Sequence, residues 1–319
     1  MTKLNLRILL ASPRGFCAGV VRALDTVECA LAEFGAPLYV HHEIVHNPHV
    51  VADLAARGVI FVETIESVPP GSRLIVSAHG AAPSVFDAAR ARDLRLVDAT
   101  CPLVTKVHNE VAHHVSKDRK VILIGHRGHA EIVGTGGHAG ERAHVVETIG
   151  EAEAMPIDAG RFYAYATQTT LAVDEASEIV EALRRRIPDL IDPLHADICY
   201  ATTNRQSAVR EIASRCEALI IIGGANSSNS RRLVETAQRA GCGRTWFVSR
   251  GSEFDIADIE GIGVLGISSG ASTPEPLVTE LIDALGARYD IVLETIEASI
   301  ESEHYKLPSL NAFDDRSTG

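Results

Sequence analysis

The chain has 319 residues, 46% of them apolar, and a formal net charge of −12, enough for one large core or two to three smaller ones. The acidic balance excludes sequence-independent nucleic-acid binding, which needs a basic face, and no apolar run approaches the about 20 residues of a membrane span. Past Lys3 and Arg7 the N-terminal apolar stretch stops within a few residues and meets Arg14, which speaks against a signal peptide, so a cytoplasmic protein is expected.

Short β-branched runs alternate with stretches of helical period, the pattern of α/β units with mainly parallel sheets. Residues 7–12 predict the first strand; Cys17 follows in "PRGFCAGV", before a helical stripe of Leu24, Val27, Leu31 and Phe34. Strand 38–43 leads to His46, strand 74–77 to His79, and strand 96–99 to Cys101. The next helix shows a face of Leu103, Val107, Val111 and Val115, with His108, His113 and His114 read as solvated. Strand 121–125 leads to His129 and Glu131, and strand 163–166 to Thr169. In "ADICYATTNRQ", Cys199 stands at a helix start, ahead of the stripe Val209, Ile212, Ala213 and Cys216. Strand 219–223 opens into "GGANSSNSRRL", strand 246–249 follows, and strand 264–267 leads to Ser272. The tail after Lys306 turns polar and is expected to pack loosely.

Ligands of open parallel sheets bind outside the carboxyl ends of the strands, where these polar residues collect. Cys216 reads as core filler, and Cys29 and Cys242 as passive thiols. Cys17, Cys101 and Cys199 differ because each stands at a loop-to-helix junction, where unpaired backbone N–H groups favour the anionic sulfur that metals bind. They recur at intervals of 84 and 98 residues, which suggests three similar α/β lobes over residues 1–101, 102–196 and 197–319. Three such thiolates suggest one shared site. No Cys-x-x-Cys pair is present, so zinc ribbons, ferredoxin-type clusters and thioredoxin chemistry lose their usual support. A cubane iron–sulfur cluster with one open iron and a zinc ion held by three cysteines and a histidine both remain open. Ser227, Ser228, Asn229 and Ser230 at a helix N-terminus suit phosphate oxygens. Glu131 beside His129 is a candidate proton donor.

The ordered blocks "PRGFCAGV", "VHN", "SAHG", "DATCPLVTKVH", "GHAE", "GTGGH", "TQTTL", "DICYATTNRQ", "SSNSRRL" and "GAS" span nearly the whole chain. Together they resemble the LytB-type family of 4-hydroxy-3-methylbut-2-enyl diphosphate reductases. The resemblance implies three α/β lobes in a pseudo-threefold cloverleaf around a central 4Fe-4S cluster, held by Cys17, Cys101 and Cys199 with one iron open. It implies a diphosphate site of His46, His79, Ser227, Ser228, Asn229 and Ser272. His129, Glu131 and Thr169 would face the substrate hydroxyl, and Thr202 and Asn204 would line or brace the pocket. The implied reaction is reductive dehydroxylation of the allylic diphosphate to isopentenyl and dimethylallyl diphosphate, the last step of the non-mevalonate pathway, fed by a flavodoxin or ferredoxin-type donor. Departures from the family pattern are Val21, where many members have an acidic residue, and Ala130, Val133, Gly136 and His138 in the loop near the proton donor. The rival readings are another open-iron enzyme, a dehydratase or quinolinate-synthase-like protein, and a metal- or cluster-binding protein without catalysis.

Overall fold

The computed structural model describes residues 3–313. In chain order the elements are β1 (Leu4–Ser12), α1 (Ala18–Phe34), β2 (Leu38–His41), α2 (Pro48–Ala56), β3 (Val59–Val62), β4 (Arg73–Val76), α3 (Pro83–Ala91), β5 (Arg95–Asp98) and α4 (Pro102–Ser116). There follow β6 (Lys120–Ile124), α5 (Ala130–Ala139), β7 (Ala143–Val146), α6 (Ile149–Ala154), β8 (Tyr163–Thr167), α7 (Val173–Arg186) and α8 (Tyr200–Ala213). Last come β9 (Ala218–Ile222), α9 (Ser228–Arg239), β10 (Thr245–Val248), β11 (Val264–Ser269), α10 (Glu275–Arg288) and β12 (Tyr289–Glu297). They form three sheets, ordered β10-β9-β11-β1-β12, β3-β2-β4-β5 and β7-β6-β8. Every strand pairing in them is parallel, as the alternation of elements predicts.

The central strands read as unbroken apolar runs because helices cover both faces. In β1 and β9, Leu6, Ile8, Leu10, Ile220 and Ile222 pack with Val278, Leu281 and Leu285 of α10. The intervening Leu9, Ala11, Leu219 and Ile221 meet Val209 and Ile212 of α8 and Leu233 of α9. The same period of two divides β6, with Ile122 and Ile124 in one core and Val121 and Leu123 in another.

All nine predicted strands form. Three more, β3, β7 and β12, each lie at a sheet edge, where one flank has no strand and the apolar signal is weak; β12 is mostly exposed along its length. The expected division put the first strand with residues up to 101, but β1 instead pairs with β11 and β12 of the C-terminal sheet.

The chain divides into two compact units. The first takes the described residues up to Cys17, His46–Val50 and Tyr200–Glu303, and holds the five-stranded sheet. The second takes Ala18–Val45, Val51–Cys199 and the described residues from His304, and holds the other two sheets. Among the described residues, no helix is long and apolar enough to cross a membrane.

Residues 307–312 of the tail are exposed or half-buried, in keeping with loose packing, and Phe313 departs from it. Phe313 is fully buried, stands edge-on to Phe34 at 5.7 Å between centroids, and accepts a bond from Arg73 Nε at its carbonyl. Arg73 also lies over the Phe34 ring, 4.9 Å from its centroid. Phe313→Ala should therefore cost about 3–5 kcal/mol, read as a lowered midpoint in denaturant unfolding. A change below about 1 kcal/mol, the usual range for surface sites, would contradict this packing.

Candidate active site

Each of the three singled-out cysteines immediately precedes a helix: Cys17 before α1, Cys101 before α4, and Cys199 before α8. Pro102 occupies the first turn of α4, where its missing N–H costs nothing. The local hydrogen bonding repeats three times. The N–H groups of Cys17, Cys101 and Cys199 donate to the carbonyls of Ala271 (3.2 Å), Ala78 (3.0 Å) and Thr169 (3.1 Å). These acceptors stand two residues past the ends of β11, β4 and β8 respectively. In the first two cases the acceptor's strand is the parallel neighbour of the strand leading to the cysteine. In the third, Ile191 bridges to β8 in parallel. Each cysteine is thus set at a helix N-terminus beside a strand exit. None of the six cysteines is disulfide-bonded.

In the first unit the hydroxyl and amide residues after β9 and β11 converge. Ser227 caps α9, its Oγ accepting from the Ser230 N–H at 3.3 Å, and Ser230 Oγ lies 3.0 Å from Ser227 Oγ. Ser272 Oγ donates to the His46 carbonyl at 3.0 Å and stands 3.5 Å from Ser227 Oγ. Asn229 Oδ1 accepts from the Ala271 N–H at 2.9 Å, and its Nδ2 reaches Thr202 Oγ1 at 3.4 Å. Two glycines make room: a Cβ on Gly270 would sit 2.0 Å from Ser230 Oγ, and one on Gly224 would sit 2.7 Å from the His46 carbonyl. His46, Ser227, Ser228, Asn229, Ser272 and Thr202 all belong to this unit. Asn204 braces: its Nδ2 donates to Glu301 at 3.1 Å.

Sequence reasoning offered Ser230 at this helix N-terminus and passed over Asn47. Ser230 is fully buried among these hydroxyls. Asn47 caps α2 by accepting from the His49 and Val50 N–H groups at 3.0 and 3.3 Å, and its buried Nδ2 has no hydrogen-bond partner among the described residues. The Asn-Pro pair, a cap followed by a first-turn proline, was the available signal.

In the second unit, Glu131 is 2% exposed. Its Oε1 accepts the Thr169 N–H at 2.7 Å and its Oε2 accepts the Thr169 hydroxyl at 2.9 Å. Burial pushes the Glu131 carboxyl up to about 7, against the lowering effect of the Thr169 bonds and with a smaller push from Asp197. A carboxylic acid titrating near neutrality is suited to hand over a proton. His129 caps α5, its Nδ1 accepting from the Glu131 N–H at 3.2 Å. The His79 ring stands edge-on to His129 at 5.7 Å, and its Nδ1 lies 3.3 Å from Ser77 Oγ.

Of the three histidines read as solvated on α4, only His113 is exposed; His108 and His114 are buried. The buried face runs through Val104, Val107, His108, Val111 and His114. His108 stacks on His138 at 4.2 Å between centroids. Burial and His138 hold His108 down to about 4, and burial lowers His138 as well. The glycine at position 80 has φ +75°, and a Cβ there would meet His108 Cε1 at 2.6 Å, so only glycine fits. The departing segment near the proton donor is no loop but helix α5. It closes on residues 81–82, where a Cβ on Gly137 would come 2.2 Å from that of Ala82, and His138 Nε2 lies 3.3 Å from the Ala81 carbonyl. Val21 and Val133 are exposed.

Among the described residues, no three His, Cys, Asp or Glu side chains stand close enough to hold a single metal ion. A polynuclear cluster binds each thiolate at a different iron and sets its ligands further apart than one ion does.

Fold and site define an α/β protein built for chemistry at strand exits: three helix-heading cysteines, a buried acid poised near neutrality, and a cradle of hydroxyls and amides. Residues 8–286 match the LytB protein family. The chain is 49% identical to 4-hydroxy-3-methylbut-2-enyl diphosphate reductase 2 of Rhodopseudomonas palustris, over 97% of each chain. It is 48% identical to the reductase of the same name from Roseobacter denitrificans, over 97% of this chain and 98% of that one. Its fold is similar to the solved E-1-hydroxy-2-methyl-but-2-enyl-4-diphosphate reductase from Plasmodium falciparum, with a TM-score of 0.90 and 35% identity over 97% of this chain and 96% of that one. The chain belongs to the LytB family.

Proposed function

We propose that the chain is an iron–sulfur oxidoreductase that removes the hydroxyl of (E)-4-hydroxy-3-methylbut-2-enyl diphosphate, giving isopentenyl and dimethylallyl diphosphate. The observation that carries this reading is the thrice-repeated setting of Cys17, Cys101 and Cys199, each heading a helix and tied through its N–H to a strand exit. These are the residues that would hold a 4Fe-4S cluster, and the softness of thiolate sulfur suits iron. Bound there, the cluster supplies electrons and one Lewis-acidic iron without a protein ligand.

The remaining roles belong to side chains. Ser227, Ser228, Asn229, Ser272 and His46, with His79, hold the diphosphate, using hydroxyl and amide donors and the N-terminus of α9. Asn47 adds a buried amide N–H without another partner among the described residues. Thr169 and His129 face the substrate hydroxyl and hold Glu131 in place; Glu131 gives that oxygen a proton, so it leaves as water. Two electrons and two protons enter in all, the second proton ending on a carbon of the allyl fragment. Thr202 supports Asn229, and Asn204 braces Glu301. The donor would be a flavodoxin or ferredoxin-type protein.

Anaerobic turnover of this substrate with a reduced flavodoxin or ferredoxin tests the proposal. Within that assay Asn229→Ala should raise KM about tenfold or more, the loss of one hydrogen bond to a charged group, with less effect on kcat. No turnover by protein carrying an intact cluster would overturn the reading, and an unchanged KM would remove Asn229 from the diphosphate site.

A further inference from the structure

The helices headed by the three cysteines share a second feature. Arg22 is the fifth residue of α1, Lys106 the fifth of α4, and Arg205 the sixth of α8. Each reaches backbone carbonyls just ahead of a different cysteine. Arg22 Nη1 donates to the Thr100 carbonyl at 2.9 Å, the residue before Cys101. Lys106 Nζ donates to the His195 and Ala196 carbonyls at 2.7 and 2.9 Å, and lies 3.1 Å from Asp197 Oδ1, in the segment entering Cys199. Arg205 donates to the Gly15 carbonyl at 2.8 and 3.0 Å and to that of Phe16 at 3.4 Å, directly before Cys17. The order is cyclic: the helix of Cys17 holds the approach to Cys101, the helix of Cys101 that to Cys199, and the helix of Cys199 that to Cys17.

Local helix energetics do not account for these cations. A positive charge near a helix N-terminus opposes the macrodipole, which favours acidic groups there, and none of the three helices has an acidic residue in its first turn. Tertiary contact decides the choice. Arg205 is fully buried and paired with Glu301 at 2.8 Å, and it also bonds the Ala201 carbonyl of its own helix at 2.9 Å. The Lys106 partner Asp197 is buried and accepts the Thr167 N–H at 2.9 Å, at the end of β8. Arg22 takes a second acceptor, the Lys306 carbonyl, at 2.9 Å. A hydrogen bond from a charged donor to a carbonyl is among the stronger single contacts available to a loop.

We propose that Arg22, Lys106 and Arg205 form a closed ring of positioning residues. Each fixes the backbone that presents the next cysteine, so that the three thiols are set before any cofactor arrives. The purpose assigned to the ring rests on the cluster reading above; its contacts do not. The ring therefore makes a cyclic prediction about which cysteine each variant disturbs.

The test is cysteine-resolved alkylation of the cluster-free full chain with iodoacetamide, followed by mass spectrometry. Arg22→Gln should speed modification of Cys101 about tenfold, and Lys106→Gln that of Cys199 by a similar factor, the weight of one charge-assisted bond; the other cysteines keep their wild-type rates. Arg22→Lys and Lys106→Arg, which retain a cationic donor, should restore the pattern. Arg205→Gln should act on Cys17; if it fails to fold, the two less buried positions decide the matter. A merely destabilising substitution would raise all rates together, and that result, or unchanged rates, would overturn the ring. Anaerobic reconstitution of wild-type protein is the separate control: no uptake of iron and sulfide would sink the cluster reading and leave the alkylation pattern to judge the ring.

Discussion

Glu131→Gln is expected to lower kcat about 10²–10⁴-fold, the usual worth of a positioned general acid, while leaving the iron and sulfide content unchanged. The amide fits the same pocket. Its Oε1 can accept the Thr169 N–H as Glu131 Oε1 does at 2.7 Å, and its Nε2 can donate to the Thr169 hydroxyl, which turns to accept. What disappears is a proton held near neutrality, because burial has raised the Glu131 carboxyl to about 7. For the unsubstituted protein, kcat should fall as pH rises through about 7 and the acid ionises, a limb that the variant lacks. Stability moves the opposite way between the two proteins. The folded state keeps a proton that the unfolded chain releases near the ordinary carboxyl value of 4.5, so the wild type loses stability as pH climbs from about 4.5 to 7. That loss is of the order of 3 kcal/mol. Glutamine carries no such penalty, so the variant should melt higher than wild type at pH 8 and converge with it toward pH 5. Full turnover in Glu131→Gln, or a lower melting temperature at pH 8, would remove Glu131 from the donor role.

The strand exits that carry the candidate site residues were legible because they can be read locally. An apolar run that ends in Cys, His, Ser or Thr marks the carboxyl edge of a parallel sheet without knowledge of which strands pair. Pairing itself was not legible. That β1 lies between β11 and β12 depends on partners at the far end of the chain, and nothing in "RILLAS" distinguishes them from β2 or β4. The edge strands β3, β7 and β12 escaped for a related reason, since a strand covered on one side only needs fewer apolar residues to form. His108 is a different case. It follows Val104 by four residues and precedes Val111 by three, the spacing of one helix face, so its burial could have been read. Residue type alone favours solvent for a helical histidine, whereas the helix period places His108 on the buried face. Arg22, Lys106 and Arg205 left no such trace, because their partners are backbone carbonyls, which every residue has.

Among the six cysteines, Cys17→Ala, Cys101→Ala and Cys199→Ala are each expected to abolish cluster uptake on anaerobic reconstitution and to reduce turnover to background, whereas Cys29→Ala changes neither. The distinction rests on backbone placement. Cys29 is exposed in the interior of α1, where the N–H groups are spent on the helix and the macrodipole is weak. Cys216 and Cys242 sit against the core beside β9, and burial and Cys242 push the Cys216 thiol up to about 12, which disfavours the anionic form a metal needs. The other three each head a helix and are anchored by their own N–H to a strand exit. A cubane cluster held by only three thiolates has no spare ligand, so losing one leaves two corner irons open instead of one. Iron and sulfide analysis with visible absorption reads the outcome directly. If any one of the three alanine variants takes up a full cluster, that cysteine is not a ligand; if Cys29→Ala empties the protein, the choice by helix position is wrong.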